Sequence, residues 1–275
     1  MRFSQIIILC LLGLACSAQI DTDRPAFTNS VNIVPKRTLQ FEGGIGYGVQ
    51  VNTLRPLFTN GAYLERLETV SAPQGIFRYG ISSQTEIRLK LPQFSFSRTK
   101  FSNDSISGYS QDFWNRQVGI GLKQRILDND KFSLSYLAML RSERDYFFDS
   151  ERAITLGLFN DLIWEYRFSE KSKMAGTVGF GNLKDSYQLN GAVLIGSKIN
   201  DQLWLQVEAV SENYFSENLR RNINYYTLNL SNQYALTERD AIDLTIGSIV
   251  HSTIFSNPRN LTIKLGYAHL FNSNK

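Results

Sequence analysis

The side chains that most often carry chemistry are sparse in this sequence. Only two histidines occur, His251 and His269, so a zinc site built from three histidines is impossible. His251 is followed directly by Ser252, a base beside a hydroxyl. Such a pair works as a nucleophile only when a third group orients the imidazole, and the neighbouring residues offer no clear candidate. Acidic residues gather in Asp128-Asn129-Asp130, which a turn explains; the glycine and distal glutamate of a calcium loop are missing. Gly43, Gly44, Gly46 and Gly48 do not follow the phosphate-loop pattern. They lie inside an alternating run, where small residues let sheet backbones curve and approach. Cys10 and Cys16 are the only thiols. No catalytic group, metal or cofactor is expected.

Both cysteines belong to a segment that reads as a signal peptide over residues 1–18. Arg2 supplies the charge, Ile6 to Leu14 the apolar run, and Cys16, Ser17 and Ala18 a small-residue cleavage site before Gln19. Cleavage there leaves a chain without thiols, excluding disulfides and thiolate catalysis; a lipid-modified Cys16 is the alternative. The formal charge is +4, falls by one with the loss of Arg2, and is spread along the chain. It forms no basic stripe, so nucleic acid is not an expected partner.

The charged residues become informative through their spacing. Leu39, Phe41, Ile45, Tyr47 and Val49 alternate with Gln40, Glu42, Gly44, Gly46 and Gly48. Ile87, Leu89 and Leu91 alternate with Glu86, Arg88 and Lys90, and Leu203, Leu205 and Val207 with Gln206 and Glu208. Leu261, Ile263, Leu265 and Tyr267 face away from Thr262, Lys264 and Gly266. A period of two means strands with one apolar and one polar face. It predicts about twelve: 38–50, 63–79, 85–97, 112–126, 131–143, 153–168, 172–182, 187–199, 202–214, 220–236, 240–251 and 260–271. Most are about twice the 5–6 residues of an ordinary globular strand. They suit a tilted bilayer crossing, which takes roughly 9–11 residues. Short connections (80–84, 127–130, 169–171, 200–201, 237–239) alternate with longer ones such as 51–62 and 98–111, as in outer-membrane barrels. Aromatics near strand ends, among them Phe94, Phe96, Trp114, Trp164, Tyr166, Phe168, Tyr214, Phe215, Tyr267 and Phe271, suit girdles at the membrane boundaries.

The fold class predicted is all-β, an up-and-down antiparallel transmembrane β-barrel. A periplasmic N-terminal segment (19–37) precedes the barrel (38–271), and a tail (272–275) follows. A lysine or arginine facing lipid at the midplane costs about 2–4 kcal/mol, so the polar face must point inward. The predicted lumen set is Gln40, Glu42, Arg78, Glu86, Arg88, Lys90, Lys123, Arg125, Glu165, Arg167, Glu208, Asp243 and Lys264. Its mixed charge predicts no strong ion selectivity, and the strand number predicts a narrow lumen. A network of ion pairs that merely fills the barrel accounts for these residues as well as a selectivity site does. Asp21, Asp23 and Arg24 belong either to a solvated tail or to the mouth of the barrel.

Two stretches carry a resemblance. One is Asp21-Thr22-Asp23-Arg24-Pro25, then Val34-Pro35-Lys36, then Leu39-Gln40-Phe41-Glu42-Gly43-Gly44. The other is Ile76-Phe77-Arg78-Tyr79-Gly80-Ile81, then Glu86-Ile87-Arg88-Leu89. In combination and spacing they resemble the transporter-like outer-membrane family catalogued under the MetA pathway of phenol degradation; the match covers roughly residues 20–91. The resemblance implies a Gram-negative outer membrane and passage of small solutes, hydrophobic or aromatic ones included, without identifying a substrate. Its expected partners are outer-membrane lipid, the barrel-assembly machinery and an unidentified solute. Two other functions compete: a structural or adhesive surface barrel with a closed lumen, and a secreted soluble β-barrel or sandwich carrier.

Overall fold

The computed structural model describes residues 22, 28–54, 63–102, 107–116, 118–144, 154–183, 186–216, 221–253 and 259–271. The leader, with Cys10 and Cys16, and the residues Asp21, Asp23 and Arg24 lie outside these, as does the tail. The strands are β1 (Leu39–Leu54), β2 (Tyr63–Ala72), β3 (Ile76–Gly80), β4 (Thr85–Lys90), β5 (Gln93–Ser102), β6 (Ser107–Arg116), β7 (Gly119–Asp128) and β8 (Phe132–Arg144). They continue as β9 (Ile154–Ser169), β10 (Ser172–Leu183), β11 (Ser186–Lys198), β12 (Leu203–Ser216), β13 (Arg221–Ala235), β14 (Asp240–Ser252) and β15 (Arg259–Phe271). Neighbours pair antiparallel, and β15 returns to β1 from Leu39↔Phe271 to Val51↔Arg259, closing the sheet.

Three staves of this barrel are interrupted. β2 and β3 both lie against β1, on its far and near halves. β5 and β4 pair with them in turn, and β6 and β7 with those. Counted as staves, the sheet is a closed 12-strand antiparallel barrel. The continuous strands expected at 63–79 and 85–97 are therefore each split. Pro73 and Pro92 fall in the gaps, where a residue without an N–H cannot extend a hydrogen-bond ladder. The loop expected at 98–111 is largely strand: β5 runs to Ser102 and β6 begins at Ser107, paired from Gln93↔Arg116 to Ser102↔Ser107.

The two faces of the sheet differ sharply. Ile45, Ile120, Leu158, Val193, Ile195, Val207, Leu228, Leu230 and Leu265 point outward with no protein covering them. Aromatics stand toward both ends of this belt: Tyr166 against Phe168 at 5.2 Å near one turn, Tyr187 stacked on Phe215 at 4.7 Å near the other end. Tyr214 breaks the girdle pattern, because its hydroxyl bonds Glu212 on the inner face. Along the β2–β5 pair the outer face changes from Val70, Phe94 and Phe96 to Arg66, Glu68, Arg98 and Lys100, with Arg66 and Glu68 paired at 2.9 Å. The apolar belt ends there. On the outer face Trp164 lies flat over Gly176, where a β-carbon would come within 2.5 Å of its ring.

Candidate functional site

The interior of the barrel is not empty. Residues 28–34, upstream of the first strand, run across its inner wall. At one end Glu208 of β12 accepts hydrogen bonds from the Thr28 amide at 2.6 Å and hydroxyl at 2.7 Å. The Asn29 amide group donates to Asp161 of β9. Ser135 of β8 donates to the Val31 carbonyl, and the Val31 side chain packs among Leu137, Met139 and Ile163. At the other end the Val34 amide donates to Glu86 of β4 at 2.8 Å. The chain then passes Gly80, whose carbonyl accepts from the Arg37 amide at 2.7 Å, and turns into β1 through Arg37 at φ 61°.

Gly80 makes that exit possible. A β-carbon there would stand 2.2 Å from the Pro35 carbonyl oxygen and 2.3 Å from that of Val34, both backbone atoms. The reason for glycine is this close approach rather than positive φ, which no described glycine adopts.

Five charged side chains grip the segment where it leaves. Glu42, Arg78, Glu86, Arg88 and Lys123 are buried to within 1%. Arg78 bridges Glu42 at 2.9 Å and Glu86 at 3.0 Å, and Arg88 reaches Glu86 at 2.7 Å. Gln40 supports Glu42 from the neighbouring inner position. The surplus positive charge is directed at the segment's oxygens. Lys123 Nζ donates to the Ser30 carbonyl and, at 2.7 Å, to that of Asn32; Arg78 also donates to Asn32, and Arg88 to the Asn29 side chain.

The other candidate residues are distributed elsewhere. Glu165 is buried between Arg167 at 3.0 Å and Lys173 at 2.9 Å, near the turn end. Arg125 is half-buried and pairs with Asp128 at the end of the same strand, away from the central cluster. Lys90 and Asp243 share the inner face, half-buried and buried respectively. Lys264 stands on β15, in register with Gly46 of β1. There, between β1, β2, β14 and β15, a cavity of about 230 Å³ is lined by Gly46, Gly48, Gln50, Thr69, Gln74, Thr262 and Lys264, among others. No carboxylate is among its described lining residues.

Sequence reasoning missed Asp161, Lys173 and Asn229 as inner-face partners. Asp161 was within reach, since Phe159, Ile163 and Glu165 share its period. It also missed that residues 28–34 sit inside. The one signal was the apolar run Val31, Ile33 and Val34 in a stretch otherwise suited to solvent. His251 and Ser252 are adjacent in β14 and point to opposite faces, His251 exposed and Ser252 buried, so they cannot act as a pair. His269 lies on the outer face, 2.7 Å from Asp240.

No family model matches the sequence, and no curated protein matches it. Among solved structures the chain is similar to an outer membrane channel from Pseudomonas putida F1, at 9% identity and TM-score 0.60, over 92% of this chain and all of that one. It also aligns with the beta domain of the Bordetella autotransporter BrkA (9% identity, TM-score 0.47, 86% of this chain and 100% of that one). For the KdgM porin in complex with oligogalacturonate the values are 12%, 0.46, 84% and 99%. The first likeness shows an outer-membrane barrel fold, which is the coarse part of the resemblance read from residues 20–91.

Proposed function

We propose that the protein is an outer-membrane channel for small solutes in a Gram-negative envelope, with a passage narrowed by its own N-terminal segment. The observation that carries this reading is the division of the interior. The segment is bonded to β3, β4, β7, β8, β9 and β12, while a cavity of mixed polar and apolar lining remains against β1, β2, β14 and β15. A barrel filled from wall to wall would leave no such space. The outward apolar belt supports a lipid surround, and the resemblance at residues 20–91 supports a transporter-like role that includes hydrophobic or aromatic solutes. Among the described residues no catalytic arrangement supports an enzyme.

The test is reconstitution of the full chain in planar bilayers and in liposomes for swelling assays. A small conductance and solute flux are expected. The closed structural barrel is the competing reading, favoured by the many bonds that hold residues 28–34. It predicts neither current nor flux, and that result, repeated with a variant whose segment is displaced, would refute the channel.

A further inference from the structure

We infer that the outer face of β2 and β5 is a docking surface for the phosphate groups of a phosphorylated glycolipid in the outer leaflet. The inference goes beyond the channel reading; it rests on that reading for the membrane, but not for conduction. It starts from the place where the apolar belt stops.

Successive outward side chains of a strand are two residues apart, a step of about 7 Å. Val70, Phe94 and Phe96 are exposed on the belt. One step further stand Glu68 and Arg98, and one step beyond those Arg66 and Lys100. Arg66 lies across from Val51 of β1, at the end away from the short turns that follow β9, β11 and β13, which is the outer side in such barrels. The change from hydrocarbon to charge thus falls at the level of lipid head groups. Three of the four charges are positive, and Glu68 is the one carboxylate on the outer face of β1, β2 and β5 among the described residues.

Water alone would accept any polar side chain there. What points to an anion is the register. Arg66 and Lys100 are direct cross-strand partners, and like charges placed opposite each other repel and destabilise a sheet. Glu68 engages Arg66 at Nε, yet the Arg66 side chain stays 50% exposed, and Lys100 is exposed. A phosphate set between the two relieves the repulsion, taking N–H donors from a guanidinium and a point charge from an ammonium. Arg98 adds charge to the face without having to touch the phosphate. The acyl chains of the same molecule then lie along Val70, Phe94 and Phe96. A phosphorylated glycolipid supplies both parts at this height, whereas free phosphate leaves the apolar half unused.

The probes are diphosphoryl lipid A, its fully dephosphorylated counterpart and inorganic phosphate. Native mass spectrometry on the full chain in detergent reads binding directly, whether or not the barrel conducts. Diphosphoryl lipid A should be retained about tenfold or more over the dephosphorylated lipid, and millimolar inorganic phosphate should not displace it. Arg66→Gln with Lys100→Gln should weaken diphosphoryl lipid A about 20-fold, roughly fivefold for each cation beside an anionic lipid surface. Lys131→Gln with Lys171→Gln, the same loss of charge in exposed turns at the opposite rim, should change nothing. Equal retention of the two lipids, or displacement by inorganic phosphate, overturns the surface on the unmodified protein alone, even if a variant fails to fold. Equal losses from the two double variants overturn it as well, since the attraction would then belong to the net charge and not to this face. Diphosphoryl lipid A bound without any current in bilayers would leave the surface standing and sink the channel; current without a preference for the phosphorylated lipid would do the reverse.

Discussion

Replacing Lys123 by methionine tests whether the N-terminal segment is held by charge. The substitution keeps the length and apolar stem of the side chain and removes only the ammonium. That ammonium donates to the carbonyls of Ser30 and Asn32. Asn32 keeps its bond from Arg78 Nη2 at 2.9 Å, so the net loss is close to that of one hydrogen bond to a charged group. Such bonds contribute about 1.5–3 kcal/mol, and the segment should detach roughly 10- to 100-fold more often. Amide hydrogen exchange followed by mass spectrometry reads this at the Thr28 and Val34 amides, which donate to Glu208 and Glu86. Exchange there should accelerate by that factor, while peptides from β10 to β13 keep their protection. Unchanged exchange at 28–34 would refute the argument. So would an equal rise throughout the barrel, which would mean that Lys123 stabilises the wall and not the segment.

Gly80→Val should displace the same segment without altering any charge, because its β-carbon would collide with the Val34 and Pro35 carbonyls; faster exchange at 28–34 and larger single-channel current are expected, and unaltered values of both would contradict the close-approach account. Leu228, outward near the middle of β13, faces the apolar belt; Leu228→Arg should cost up to about 2–4 kcal/mol in unfolding titrations from lipid vesicles, and a neutral result would argue against a lipid surround. Arg98→Cys lies beyond the belt and should react with a membrane-impermeant maleimide on intact cells, while Val70→Cys should not; the opposite pattern would put the far half of the β2–β5 pair in the membrane.

The barrel was legible because lipid on one side and polar groups on the other impose a strict period of two. β1, β4 and β12 show it residue by residue, and Glu86, Arg88 and Lys123 fall on one face by the same rule. Legibility failed where that contrast disappears. At β5 beyond Phe96 the sheet leaves the belt, both faces can be polar, and a strand reads as a loop. Pro73 and Pro92 were visible, yet alternation on either side outweighed them. The interior arrangement was hidden for another reason. Thr28 and Glu208 are 180 positions apart, and no local pattern encodes that the amide of one meets the carboxylate of the other.

The central cluster also explains why the segment and the barrel depend on each other. Arg78, Arg88 and Lys123 outnumber Glu42 and Glu86, all five buried. Buried ion pairs seldom repay their desolvation, and an unmatched buried cation costs several kcal/mol. The excess charge is matched by neutral oxygens instead: the carbonyls of Ser30 and Asn32 and the Asn29 side chain. At the far end the polarity reverses, with Glu208 and Asp161 accepting from Thr28 and Asn29. The segment thus offers acceptors where the wall is cationic and donors where it is anionic. Sliding it by one residue along the wall would misalign both ends together, so its position is fixed by two sites of opposite sign rather than by apolar contact at Val31 alone. A segment held in this way leaves cooperatively or not at all, which predicts two discrete conductance levels from the intact protein instead of a continuous spread.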